Sequence, residues 1–124
     1  MKGLSVHVVD IANGVVARGM QVEVWRRTAT APDGAGPAWQ PLVTGTVADN
    51  GVVSGLAGQE AMFVVGDYEV RLHVAAYYRA IGTVLAEPPF MAVQLFRFGL
   101  ADTEQHIHLP VKLTPHGLSC FRGA

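Results

Sequence analysis

The residues best suited to acid/base chemistry in this sequence lie in its last twenty positions, which contain three of the five histidines. From Gln105 to Leu113 polar and apolar residues alternate, and His106, His108 and Lys112 fall in the polar row. Side chains two apart in a strand point to the same face, so the pattern predicts a strand that carries two imidazoles and an amine away from the core. Imidazole has the proton equilibrium closest to neutral pH, and such a pair indicates acid/base catalysis or metal binding.

The first and last predicted strands add further outward-facing residues. In the first strand Leu4, Val6 and Val8 alternate with Ser5, His7 and Val9, so His7 points away from the core if the Leu4 row points inward. In the last strand Ser119 and Phe121 are predicted to point outward, whereas Cys120 is predicted to be buried. Spacing does not reveal the strand order, so it is a hypothesis that all of these residues share one sheet face.

Short strand-like segments between turn signals predict an all-β fold. Turns are indicated at Asn13-Gly14, Asn50-Gly51 and Pro115-His116-Gly117. We expect one domain over residues 1–124, an eight-stranded β-sandwich with one short helix at Val74–Ile81. The predicted strands are Leu4–Asp10, Gln21–Arg27, Trp39–Val47, Val52–Ser54, Tyr68–His73, Met91–Gly99, Gln105–Leu113 and Leu118–Phe121.

Composition limits the partners and the compartment of the protein. Only 15% of the 124 residues are charged and 50% are hydrophobic, so one chain has little charge to cover its surface and oligomerisation is expected. The net charge of -1 argues against nucleic acid as a partner. No apolar run is long enough to span a membrane, and the N-terminus does not resemble a signal peptide. The single cysteine excludes an internal disulfide, and we expect a cytoplasmic protein with no membrane partner.

Two segments together resemble the 5-hydroxyisourate hydrolases, or transthyretin-related proteins. Ser5-Val-His-Val-Val-Asp-Ile-Ala-Asn-Gly14 is similar to the first strand of that family, and His106-Ile-His-Leu-Pro with Thr114-Pro-His-Gly-Leu-Ser-Cys-Phe-Arg-Gly-Ala124 is similar to its H-Y-H-x-P and S-P-x-x-x-S-T-Y-R-G-S ending. The resemblance implies a transthyretin-like β-sandwich, assembled as a homotetrameric dimer of dimers with the active sites in a channel between the dimers. It also implies hydrolysis of a ring amide of a small molecule, 5-hydroxyisourate, with no metal or organic cofactor.

The resemblance implies roles for individual residues as well. His7 and His108 fall on the catalytic histidines of the family, where one imidazole would take a proton from water and the other would orient that water or protonate the leaving ring nitrogen. Arg122 falls on the arginine of the C-terminal tail, which folds back into the site and contacts the substrate. The resemblance puts the chemistry on His108, so a surface residue without a role is the simpler interpretation of His106, and a supporting role at the site is the alternative. Ser119 is expected to line the channel and to help position the substrate.

Two departures from the family pattern bear on the substrate. Val52 follows the Asn50-Gly51 turn, where the family has an arginine, and Phe121 and Ala124 replace residues that carry hydroxyls. A donor aimed at a developing oxyanion contributes about 3 kcal/mol to catalysis, so Lys112 is a candidate for a replacement positive charge. An apolar Val52 would tolerate an N-methylated substrate that a guanidinium would exclude.

Two other interpretations stay open. His7, His106 and His108 could form a three-histidine zinc site with an open coordination position. Alternatively, the protein is non-catalytic and uses the channel to bind a small molecule, which the missing arginine and hydroxyls favour and the retained histidines disfavour. For any one of these histidines taken singly, a surface residue without a role is the simplest interpretation.

Overall fold

A computed structural model describes residues 2–30, 34 and 36–123, whose strands form two four-stranded sheets. The described part has one α-helix, α1 (Val74–Ala80), and one 3-10 helix (Glu60–Met62). Neither helix is long and apolar enough to cross a bilayer. The strands are β1 (Leu4–Asp10), β2 (Val15–Val16), β3 (Gln21–Thr30), β4 (Pro37–Thr46), β5 (Gly66–His73), β6 (Val93–Leu100), β7 (Ile107–Thr114) and β8 (Gly117–Cys120).

The first sheet has the strand order β2-β1-β7-β8 and contains the two ends of the described chain. Strands β1 and β7 run parallel, in a register that pairs Leu4 with Ile107 and Asp10 with Leu113. Parallel neighbours need a long crossover, and here the chain builds the whole second sheet before it returns to β1. The strand with His7 and the strand with His108 are therefore direct neighbours.

The second sheet has the order β4-β3-β5-β6 and is antiparallel throughout. Apolar residues at alternate positions of both sheets face each other and form the core, because burying apolar area is the main favourable term in folding. Fully buried core residues include Val6, Val8, Val22, Val24, Tyr68, Val70, Leu72, Leu109, Val111 and Leu113. The intervening residues Ser5 and His7 are half-buried on the outer face, as the alternation predicts.

The structure confirms the predicted eight-stranded β-sandwich with one short helix. The prediction of a strand at Val52–Ser54 was wrong: this segment makes only isolated bridges, from Val52 to His7 and from Val53 to Val47. The reason is that Gly51 and Gly55 on either side have φ angles of 86° and 85°, which break extended pairing after a few residues. The eighth strand is instead β2, which pairs with β1 across the turn at Asn13-Gly14.

A buried carboxylate connects the helix to the first sheet. Asp10 is 0% exposed and accepts hydrogen bonds from the hydroxyls of Tyr77, at 2.8 Å, and Tyr78, at 2.7 Å. Asn13 donates its side-chain amide to the same carboxylate at 2.7 Å. Burial alone would raise the pKa of Asp10, but the hydrogen bonds from Asn13, Tyr78 and Tyr77 outweigh it and hold the pKa below its ordinary value. Helix α1 is thus attached to the end of the strand that carries His7.

Candidate functional site

The outer face of the first sheet brings together the histidines that the sequence placed in two distant strands. In the parallel register Ser5 lies opposite His108, and His7 lies opposite Pro110. Strand geometry then separates the Cα atoms of His7 and His108 by roughly 8 Å. We call the outward-facing set Ser5, His7, His106 and His108 the histidine face.

Ser5 joins two of the imidazoles. Its Oγ lies 2.7 Å from Nε2 of His106 and 2.7 Å from Nδ1 of His108. The other nitrogen of His106, Nδ1, lies 2.9 Å from the backbone oxygen of Lys2. A continuous chain of hydrogen bonds therefore runs from the Lys2 carbonyl through His106 and Ser5 to His108.

His7 is held on the other side of β1 by the turn at residues 48–51. Its Nε2 lies 3.2 Å from the backbone oxygen of Asn50. Gly51 passes so close that a Cβ atom there would lie 2.4 Å from His7 Nε2, and its φ of 86° also favours glycine. Backbone hydrogen bonds of 2.9 Å from Val8 to Gly51 and from Val53 to Val6 attach the turn to β1. The position of the His7 ring thus depends on a glycine that the sequence pattern marked only as a turn.

Val52 lies beside His7 and lines a small pocket. The bridge between the two residues puts their side chains on the same face. The pocket has a volume of about 130 Å³, and Ser5, Val52, Glu60 and His106 are among the residues that line it. Val52 belongs to the apolar part of the lining, and Ser5, Glu60 and His106 supply polar groups. A larger hollow of about 350 Å³, lined by Arg27, Trp39, Asp67 and Arg97, belongs to the second sheet and contains none of the histidines.

Lys112 and Ser119 lie farther along the same outer face. Lys112 is exposed and pairs with Val9 on one side and Ser119 on the other. Strand spacings put the Cα atoms of Lys112 and Val52 on opposite sides of β1, roughly 12 Å apart. Lys112 therefore does not occupy the place of a side chain at position 52, although it can approach the same ligand from the opposite side.

The C-terminal tail folds back along β7 towards His108. The amide of Gly123 donates to the backbone oxygen of His108 at 2.7 Å, and Arg122 Nη2 donates to Gln105 Oε1 at 2.7 Å. Phe121 is 48% exposed, so its ring is not part of the core. The tail thus adjoins the histidine face, with the guanidinium of Arg122 attached to the residue that precedes His106.

The remaining candidates lie away from the histidine face. His73 bonds to Glu23 on the second sheet, and His116 is exposed near the ring of Phe90. Cys120 is half-buried against the core rather than fully buried, because β8 is an edge strand, and burial raises the pKa of its thiol to about 11. A thiol in that range is protonated at neutral pH, which is typical of a structural cysteine.

Sequence reasoning missed the contact residues that fix the imidazoles, namely Ser5, the carbonyl of Lys2 and the close approach of Gly51. Ser5 falls in the same polar row as His7, so its outward direction was available from the alternation. Its contact with His106 and His108 depends on the parallel pairing of β1 with β7, which no local pattern encodes. Within residues 2–30, 34 and 36–123, no three His, Cys, Asp or Glu side chains gather closely enough to hold a metal ion.

Comparisons with known proteins agree with this architecture. Residues 4–123 match the HIUase/Transthyretin family. The 5-hydroxyisourate hydrolase 2 of Rhizobium meliloti (strain 1021) is 34% identical over 121 residues, which cover 98% of this chain and 95% of that relative. The crystal structure of (S)-allantoin synthase is similar with a TM-score of 0.82 and 28% identity, over 98% of this chain and 43% of that chain.

Sea bream transthyretin, solved in complex with thyroxine, shares the fold with a TM-score of 0.79 and 24% identity, over 98% of this chain and 94% of that chain. The family match extends over both strands of the histidine face and the tail that folds onto them. The resemblance seen in the two terminal segments is thus confirmed over the length of the sandwich. This chain belongs to the HIUase/Transthyretin family.

Proposed function

We propose that this protein is a hydrolase that opens a cyclic amide of 5-hydroxyisourate or of a related oxidised purine with a histidine-activated water. The observation that carries the proposal is the histidine face, where Ser5 holds His108 at 2.7 Å and His7 lies two residues farther along the neighbouring strand. The relative from Rhizobium meliloti, which is named a 5-hydroxyisourate hydrolase, supports the same reaction class. No step of the proposed reaction uses a metal or an organic cofactor.

The proposed reaction needs a base on one side of the ring amide and an acid on the other. One imidazole removes a proton from water as the oxygen attacks the ring carbonyl, which forms a tetrahedral oxyanion. The carbon–nitrogen bond of the ring then breaks, and the second imidazole gives a proton to the leaving nitrogen. His7 and His108 are proposed for these two roles because roughly 8 Å between their Cα atoms leaves space for a planar ring.

Val52 is proposed to select a substrate with an apolar edge. Its side chain shares a face with His7 and lines the small pocket that Ser5 and His106 also line. A valine presents no donor, so it tolerates an N-methyl group and gives no discrimination in favour of a bare ring carbonyl. Lys112, together with Arg122 of the tail, is proposed to supply positive charge from the opposite side, and Ser119 and Phe121 to line the same channel.

The protein is proposed to act as a homotetramer, a dimer of dimers with the histidine faces lining the channel between dimers. On the isolated chain this face is open to solvent: Lys112 and Phe121 are exposed there. A second subunit across the face would exclude water from the substrate and strengthen each electrostatic contact with it.

A direct assay tests the reaction. Freshly generated 5-hydroxyisourate and its N-methylated analogues, made by enzymatic oxidation of the corresponding urates, are mixed with the protein, and the ring absorbance is followed against spontaneous decay. We expect accelerated decay for at least one of these compounds, with the methylated analogues favoured. Decay at the spontaneous rate for all of them would contradict the proposal.

Two departures in the sequence favour a second function, the binding of a small molecule without turnover. Val52 removes the expected donor to the substrate, and Phe121 lacks the hydroxyl expected in the tail. Isothermal titration with a stable, unreactive urate derivative separates the two functions. Saturable binding combined with no acceleration of decay would support the binding protein, whereas binding with acceleration supports the hydrolase.

A further inference from the structure

We propose that Ser5 and His106 are positioning residues that fix the tautomer of His108 and leave its Nε2 free to accept a proton. The tautomer assignment follows from hydrogen-bond donors and acceptors alone. Its catalytic consequence, that His108 is the base and His7 the acid, rests on the proposed hydrolase function.

The assignment begins at the backbone of Lys2. A carbonyl oxygen only accepts hydrogen bonds, so Nδ1 of His106, 2.9 Å away, must carry a hydrogen. A neutral imidazole has one N–H, and Nε2 of His106 is therefore an acceptor. The Lys2 carbonyl thus sets the tautomer of the first ring.

Through Ser5, the tautomer of His106 determines the tautomer of His108. Its hydroxyl has a single hydrogen, and Nε2 of His106 at 2.7 Å takes it. The oxygen of Ser5 can then only accept from Nδ1 of His108, also at 2.7 Å. Nδ1 of His108 must therefore carry the hydrogen of that ring, and Nε2 is left bare.

The backbone keeps this chain of groups in place. Ser5 and His108 are paired residues of adjacent parallel strands, so their side chains leave the sheet side by side. The amide of Gly123 binds the backbone oxygen of His108 at 2.7 Å, and a Cβ at Gly123 would come within 3.1 Å of the His108 ring. The ring is therefore confined on the tail side as well as bonded on the Ser5 side. A bare Nε2 on a confined neutral imidazole is what a general base requires.

The test measures tautomers directly and needs no substrate. Long-range proton–nitrogen NMR correlations on 15N-histidine-labelled protein distinguish Nδ1–H from Nε2–H rings. The spectra are recorded at about pH 8.5, because this is roughly two units above the ordinary imidazole pKa and the rings are then neutral. We expect Nδ1–H for both His106 and His108 in the wild type. In Ser5→Ala we expect His106 to remain Nδ1–H and His108 to populate the Nε2–H form. Ser5→Thr keeps the hydroxyl and should restore the wild-type pattern.

Kinetics of the same three proteins add a second readout. Ser5→Ala should lower kcat on the order of tenfold with little change in KM, because the population of competent base falls while the pocket stays open. Ser5→Thr should recover most of that loss. An Nε2–H His108 in the wild type, or an unchanged Nδ1–H His108 in Ser5→Ala, would overturn the assignment. Correct tautomers in a protein that does not accelerate substrate decay would instead overturn the proposed hydrolase function and leave the tautomer assignment standing.

Discussion

At the scale of single residues, the two proposed catalytic imidazoles carry little of the folding energy. His7 and His108 are half-buried on an outer sheet face. Their neighbours in the same strands, such as Val6 and Leu109, point to the opposite face and form the core. Replacing either imidazole leaves the apolar contacts between the two sheets intact. Loss of activity in such variants can therefore be attributed to chemistry.

We expect His7→Ala and His108→Ala each to reduce turnover about a hundredfold or more, because each removes a proposed general acid or base. Melting temperatures should change by only a few degrees. His73→Gln is the matched control, since His73 is a histidine of the second sheet that keeps a polar group towards Glu23 in this variant. Steady-state kinetics on freshly oxidised substrate, with thermal melts, give both quantities. Full turnover in either alanine variant would remove that residue from the mechanism.

Position 52 and Lys112 form a pair that tests substrate preference. Val52→Arg should shift the preference towards unmethylated 5-hydroxyisourate, because a guanidinium can bind a ring carbonyl or oxyanion but not a methyl group. Lys112→Leu should lower kcat more than it raises KM if the amine stabilises the oxyanion. Both side chains are proposed to approach one ligand, so their effects should not add in the double variant. A kinetically silent Lys112→Leu would show that Lys112 is an ordinary surface residue.

At the scale of elements, the turn at residues 48–51 decides where the His7 ring lies. Gly51 has a φ of 86° and faces His7, whereas Gly14 has a φ of 70° with open space where a Cβ would be. Both glycines therefore have a positive φ that favours glycine, but only at Gly51 would a Cβ atom collide with His7. A pair of matched alanine substitutions separates these two effects.

Gly14→Ala should cost about 1 kcal/mol of stability from backbone strain and leave turnover unchanged. Gly51→Ala should cost more and also abolish most of the activity, because its Cβ would lie 2.4 Å from His7 Nε2 and must displace the ring. Urea denaturation and kinetics measure the two effects. Equal stability and equal activity in the two variants would mean that the turn does not position His7.

The connection between helix α1 and the first sheet predicts a pH dependence. The pKa of Asp10 is held below its ordinary value, so its hydrogen bonds stabilise the fold fully above about pH 4, and this contribution is lost as the pH falls through the folded-state pKa. Asp10→Asn should lower the free energy of unfolding at pH 7 by roughly 1–3 kcal/mol. The difference between wild type and variant should shrink below about pH 4.

Asp49→Asn is the control for this measurement, because the Asp49 side chain is 83% exposed and pairs only with an exposed arginine in the described structure. Urea denaturation of the three proteins between pH 7 and about pH 3 gives the required curves. A difference between wild type and Asp10→Asn that stays constant over this range would contradict the proposed role of the carboxylate charge.

At the scale of the whole molecule, the exposed apolar residues of one chain point to association. Phe90 is 74% exposed, Leu95 51% and Phe121 48%, and only 15% of the residues are charged. A tetramer would cover part of this surface, so we expect light scattering after size exclusion to give the mass of four chains down to micromolar concentration. A stable monomer at that concentration would contradict the proposed channel, since the channel requires two dimers.

The local alternation of side chains in the sequence was sufficient to predict most strands and the direction of the reactive side chains. Period-two alternation identified β1 and β7 and the outward direction of His7 and His108, because side-chain direction in a strand depends only on the parity of the position. The same rule correctly placed Val6 and Leu109 in the core. The short segment after Gly51 was predicted as a strand from its sequence, but in the structure it forms only isolated bridges.

Tertiary structure alone decided which of these strands are neighbours. The parallel pairing of β1 with β7 sets Ser5 against both His106 and His108, and the fold of the tail sets Gly123 against His108. The Ser5 contacts join residues from opposite ends of the described chain, and all four strands of the second sheet lie between them in the sequence. The sequence by itself thus determined the types and directions of the reactive side chains. Their hydrogen-bond order, and with it the proposed tautomer of His108, exists only in the packed sandwich, because distance and register between remote strands are set by the burial of both sheets at once.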